Sequence, residues 1–208
     1  MADILLDTQG APSTPSSGAG LIWVDSTAKI ICAKDDAGLI SGRSENASIA
    51  AQGAGFASDT YVTDSHILIP SFGFQARTMF RWLISVSKTA AGVATPIYQV
   101  RIGANKTTGD TSRLTLTGPA QTAAADVALI QLYLTIRSIG ASGVMQGTVT
   151  MDHNLAATGF ANNAAGLVEG TSAGFDMTAL AGQFIGLSIN GGSSAAWTVT
   201  QVRADARW

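Results

Sequence analysis

The chain predicts an all-β protein: a two-sheet β-sandwich of jelly-roll type, preceded by an extended arm and a small β-meander. Three observations carry that expectation. Eight or so runs alternate apolar and polar residues with the period of two that a half-buried strand imposes. The gaps between them are rich in Gly, Asn, Ser and Ala, as strand-connecting turns are. No segment of ten or more residues shows the 3.6 period of a helix. "ALIQLYLTI" (128–136) comes nearest, but its alternation and its β-branched and aromatic content favour a strand.

Residues 1–20 read as an extended arm. Pro12 and Pro15 push their predecessors out of the helical region, and the tract Ser16 to Gly20 has no periodicity. Short β-type runs follow, "LIWV" (21–24), "KIICAK" (29–34) and "LI" (39–40), separated by "DSTA" and "DDAG", whose residue types suit tight turns. Three strands of this size bury too little to stand alone. Leu21, Ile22, Trp23, Ile30 and Ile31 would then be wet unless the meander rests on something, either the main domain or another protein. Residues 1–45 are therefore expected to be a docking arm. Residues 46–60, within a small, polar, Gly-rich stretch that begins at 41, read as a linker, and 61–208 as the sandwich domain.

Within 61–208 the strand runs come in order. "HILIP" (66–70) is short. "MFRWLISVS" (79–87) puts Phe80, Trp82, Ile84 and Val86 on one face, and "PIYQVRIG" (96–103) turns Tyr98, Val100 and Ile102 inward. "SRLTLTG" (112–118) aligns Leu114 with Leu116. "VALIQLYLTIRSI" (127–139) lines up Ile130, Leu132, Leu134 and Ile136. "GVMQGTVTM" (143–151), "FIGLSIN" (184–190) and "WTVTQVRADA" (197–206) complete the set, and 154–174 reads as a long loop.

Composition narrows the function classes. Of the 208 residues 46% are hydrophobic, enough for a real core, but only 12% are charged, about half of the usual ~25%. A sparsely charged surface repels its own copies weakly, and interface cores are depleted of charge, so contact with neighbouring subunits is expected. Net charge is −2 with no basic cluster, which argues against a nucleic-acid partner. No apolar run approaches the ~18 residues of a membrane span, and "MADILLDTQG" has neither a basic n-region nor an apolar h-region. The single Cys32 excludes an internal disulfide framework and a cysteine-based zinc site.

A search for chemistry yields turns and packing residues. His153 lies in "MDHN", where alternation leaves only Asp152 and Asn154 on one side, and a strand end running into a loop is the favoured reading. His66 opens an apolar strand and reads as a partly buried packing residue. Asp35-Asp36 lacks the rest of a calcium loop. The two glutamates, Glu45 and Glu169, have no acidic neighbour in sequence. "GASG" and "NGG" precede no helix bearing Lys-Ser/Thr, so they are turns and not phosphate loops. Trp82, Tyr98, Tyr133, Trp197 and Trp208 are assigned to the core or a trimer interface. No catalytic residue, metal ligand or cofactor is expected.

The segment "TPSSGAGLIWVDSTAKIICAKDDAGLI" resembles the opening of many tailed-bacteriophage virion proteins. There a Pro/Ser stretch leads into a strand, a Lys-bearing strand and a closing "DDAG" with hydrophobic residues. "ILIPSF…RTMFRWLISVS…PIYQVRIG", "ALIQLYLTIRSIGASG" and "FIGLSIN…WTVTQVRADA" look like the tumour necrosis factor-like jelly roll of phage tail-fibre, head-fibre and capsid-decoration proteins. The resemblance spans nearly the entire chain. It implies a non-enzymatic structural protein at the virion surface, assembled in the host cytoplasm as a homotrimer. Its arm would dock on a major capsid or tail protein while the jelly rolls point outward. The chain carries no long fibrous shaft, which favours capsid decoration or a head fibre over a tail fibre. The alternative is a tip that recognises a host-surface glycan or protein, with loop 154–174 carrying recognition.

Overall fold

The computed structural model of the protein describes residues 8–25, 31–34, 40–41, 45–53, 56–70, 72–161, 167–192 and 197–208. Among these every regular element is a strand. The first four are β1 (Thr8–Gln9), β2 (Leu21–Asp25), β3 (Ile31–Lys34) and β4 (Ile40–Ser41), hydrogen-bonded in that order as one sheet. Next come β5 (Glu45–Ala47), β6 (Thr60–Tyr61), β7 (Ile67–Leu68), β8 (Met79–Lys88), β9 (Ile97–Gly103) and β10 (Thr111–Thr117). The last five are β11 (Asp126–Ser138), β12 (Val144–His153), β13 (Val168–Thr171), β14 (Phe184–Asn190) and β15 (Trp197–Arg207).

Two sheets form the sandwich. One runs β13-β12-β11-β8-β15-β5, and the other β10-β9-β14-β6 with β7 also on β14. All pairings within both are antiparallel. The expected all-β, jelly-roll-like architecture is the observed one.

Alternation does the sorting. On β8, Phe80, Trp82, Ile84 and Val86 are buried while Arg81, Leu83, Ser85 and Ser87 are partly exposed. On β11, Ala128, Ile130, Leu132, Leu134 and Ile136 go inside. They join Tyr98, Val100 and Ile102 of β9 and Ile185, Leu187 and Ile189 of β14 in a single core. Each fully buried side chain of this size stabilises the fold by roughly 1.5–3 kcal/mol before entropy is counted.

Three stretches differ from expectation. The described positions within 46–60, expected as a linker, join the sandwich: β5 pairs with β15, Gln52 bridges Val199, Phe56 is buried in the core, and Thr60 belongs to β6 of the other sheet. Their small polar residues conceal this, because an edge strand that buries one aromatic side chain shows no alternation. The long loop 154–174 contains β13, which extends the same sheet beyond β12. The arm contains β1, which pairs in parallel with β2, Thr8 opposite Val24.

Candidate functional site

The amino-terminal sheet has its own inside and outside. None of its strands pairs with a strand of the sandwich, and neither Trp23 nor Cys32 belongs to the sandwich core. The two residues are cross-strand partners on one face and both are buried, Trp23 at 1% exposure. Cys32 is the chain's single cysteine. The Trp23 indole N–H is buried with no hydrogen-bond partner among the described residues. On the opposite face Ile22 is 64% exposed, beside its cross-strand partner Ala33. Leu21, on the Trp23 face, is exposed at the edge. Pro12 and Pro15 are half-buried, and the Pro12 carbonyl accepts a hydrogen bond from Lys34 Nζ at 2.7 Å, which ties the arm onto β3. Ile30 and the Ile31 side chain lie outside the described residues, as do Asp35 and Asp36.

The aromatic candidates divide between interior and surface. Trp82, Tyr98 and Trp197 are core residues. The Trp82 indole donates to the Ser65 carbonyl at 2.7 Å, and that of Trp197 to Gln121 Oε1 at 2.8 Å. Trp208 is 38% exposed and packs edge-on against Phe80 and Phe72. Tyr133 is 43% exposed on the outer face of the six-stranded sheet, its hydroxyl donating to Gln131 Oε1. Strand register places Met79, Leu83, Val127 and Leu129 on that same outer face, beside the Arg81–Asp205 ion pair at 3.0 Å. This face thus carries five apolar or aromatic side chains set diagonally among Ser, Thr, Gln and the charged residues Arg81, Asp152, Arg203, Asp205 and Arg207.

The most densely bonded polar group lies on the outer face of the other sheet. Arg101 on β9 is buried, although alternation points it outward, because two loops fold over it. Its Nε donates to Ser188 Oγ at 2.7 Å, and one terminal nitrogen to the carbonyls of Thr108 and Asp110. The other terminal nitrogen meets Gln99 Oε1 and pairs with Asp59. Asp110 organises the loop between β9 and β10: its carboxylate accepts from the backbone N–H groups of Asn105, Lys106 and Thr107. Lys106, in the left-handed region with φ 56°, holds its ammonium 4.0 Å above the Phe184 ring, and His66 meets the same ring edge-on. Gly186 leaves room for Tyr61, since a Cβ there would lie 2.0 Å from the phenol oxygen. Between the two loops opens a cleft of about 420 Å³. Burial raises the Tyr61 phenol to about 12, and burial with the nearby Lys106 charge lowers His66, with Asp64 opposing.

At the other end of the sandwich His153 and Asp126 form a buried pair, with Nδ1 donating to Oδ2 at 2.9 Å. Asp126 also accepts from the N–H of Val127 and Phe160. Nearby Lys88 is buried and donates to the carbonyls of Thr122 and Ala124. Desolvation lowers its pKa, with Asp126 opposing. The sequence reading saw His153 only among its chain neighbours, since its partner sits 27 residues earlier on the adjacent strand. No nucleophile among the described residues is hydrogen-bonded to this imidazole, and the pair ties the strand ends to Phe160 of the following loop. Among the described residues no cluster of three His, Cys, Asp or Glu could hold a metal ion. No helix among the described residues is long and apolar enough to cross a membrane.

Comparison with known protein families and with curated proteins finds no match for this chain. The Arg101 cluster was missed in sequence for a similar reason as the His153 pair. Its only local signal is "GANKTTGD" after a strand, where a terminal Asp can fold back onto its own loop.

Proposed function

We propose that the chain is a non-enzymatic structural component of a phage virion, a capsid decoration or head-fibre protein that docks by its amino-terminal sheet and associates as a homotrimer. The observation that carries the docking half is the Ile22 side of the amino-terminal sheet, apolar, outward-facing and unconnected by strand pairing to the sandwich. A sheet of two- to five-residue strands is marginal alone, and burial of its apolar side against a larger particle would stabilise both. Attachment of one arm of a trimer raises the effective concentration of the other two, so weak individual contacts suffice.

What supports self-association is the outer face of the six-stranded sheet. Its four long strands, about 4.8 Å apart, cover roughly 600 Å². That approaches the ~800 Å² per partner of a standard interface.

Two measurements test the reading. Light scattering on the purified chain should return three times the 21.2 kDa chain mass, and a monomer would remove the trimer. A chain lacking residues 1–41, which keeps β5 and the sandwich whole, should no longer be incorporated when particles assemble in its presence. Normal incorporation would remove the docking role.

A further inference from the structure

The cleft on the outer face of the five-stranded sheet has a chemistry that the docking reading leaves unused. We infer that it is a binding site for a neutral, hydroxyl-rich ligand, a saccharide unit, held between the 59–66 loop and the 104–108 loop. At about 420 Å³ it falls within the ~300–1,000 Å³ of small-molecule sites, and its lining residues set polar groups among a larger share of apolar surface. Thr63, Thr107 and Thr108 line it together with Tyr61, Asp64 and His66, so hydroxyl, carboxylate and imidazole groups surround an open space. Such a set exchanges hydrogen bonds with many alcohol groups, and the carbon surface between them can pack against the apolar face of a sugar ring.

Charge excludes the other polar ligands. An anion such as a phosphate is cradled by successive backbone N–H groups. Here the candidate N–H groups, those of Asn105, Lys106 and Thr107, already donate to the Asp110 carboxylate. The Lys106 ammonium is engaged over the Phe184 ring. A cation would need several free carboxylates; Asp59 pairs with Arg101 through Oδ2, which leaves only its buried Oδ1 without a partner, and no group of three His, Cys, Asp or Glu among the described residues could hold a metal ion. Asp64 and Lys106 then balance each other, and burial keeps His66 neutral near pH 7. The cleft is formally close to neutral, with donors and acceptors of both kinds.

The walls are also held in advance. The five hydrogen bonds of Arg101 tie both loops to the sheet, and the Gln52 side chain accepts from the Thr63 N–H and donates to its carbonyl. Asp64 and Lys106 both sit at positive φ, 62° and 56°, which turns their side chains to the rim at some local cost. Positions held in a sparsely populated conformation by surrounding bonds are characteristic of ligand sites.

Those two positions also supply the test. Glycine adopts positive φ freely, so Asp64→Gly and Lys106→Gly delete a rim side chain without disturbing the backbone. Thr63→Val, at an exposed position, removes one hydroxyl at constant shape. The intact chain is applied to an array of neutral and sialylated oligosaccharides, and each glycan bound is then titrated calorimetrically against the wild type and the three variants. The expected result is binding of one or more neutral glycans, weakened at least tenfold by Asp64→Gly and measurably by Thr63→Val, with melting temperatures close to wild type. Absence of any neutral glycan among those bound would overturn the inference, as would binding of sialylated glycans alone. So would a neutral glycan held equally well by all three variants. None of these results bears on the assembly tests, which read the amino-terminal sheet and the subunit mass.

Discussion

Individual polar residues are where burial has the sharpest consequences. Asp126 accepts three hydrogen bonds in a buried setting, one of them from His153. Asp126→Ala strands the imidazole and two backbone N–H groups, so a loss of about 3 kcal/mol is expected in urea unfolding. Tyr98 is the opposite case. Its hydroxyl is buried with no partner among the described residues, and burial pushes its pKa far above the ordinary tyrosine value. Tyr98→Phe removes the desolvated group and keeps the ring, so a gain of about 1 kcal/mol is expected. His66 sets a pH dependence. Its folded pKa lies below the unfolded value, so between the two the unfolded chain binds more protons. The stabilisation from its neutral ring is complete above about pH 6.5 and lost as pH falls toward the folded value. Urea midpoints from about pH 7.5 down to about pH 5 should decline in the wild type and decline less in His66→Phe.

At the scale of elements, the two sheets meet along one side through a pair of glycines. Gly147 on β12 and Gly170 on β13 are cross-strand partners. A Cβ at Gly147 would lie 2.4 Å from Leu114 Cδ2, and one at Gly170 2.6 Å from Leu116 Cδ2. These leucines come from β10, the edge strand of the opposite sheet, so the glycines form the hollow into which that edge packs. Flexible leucine tips can yield to a methyl group, so the telling substitution is larger. Gly147→Val should cost roughly 1–3 kcal/mol by overpacking. Leu114→Ala in the same chain should recover part of it, and strictly additive losses in this double-mutant cycle would deny the contact. Strand alternation made Leu114 and Leu116 legible as inward-facing. What they face was not, because it depends on how the sheets stack.

For the whole molecule, the decisive surface is the outer face of the six-stranded sheet. The substitutions Leu129→Arg and Tyr133→Arg place charge in the middle of the apolar patch, where an interface tolerates it least. Each should leave the monomer folded, since both side chains are exposed, and should shift the trimer to monomer in light scattering. A trimer that persists in both variants would locate association elsewhere. The three aromatic candidates that went to the core, Trp82, Tyr98 and Trp197, could not have been told from Tyr133 by residue type. Strand alternation separates Trp82 and Tyr98 from Tyr133, and sheet stacking adds the burial of Trp197.

The sequence by itself determined the fold class, the principal strands and the inward face of each, because a period of two is a local property that any alternating run displays. It also determined that the surface would be poor in charge. The tertiary structure alone decided that β5, Gln52 and Phe56 belong to the sandwich and that Trp23 is buried outside the sandwich core. It alone brought Asp126 to His153, and Arg101 to Asp59. Those contacts join residues up to 42 positions apart, and which polar groups meet across that distance depends on loop paths and sheet order, which no local pattern encodes.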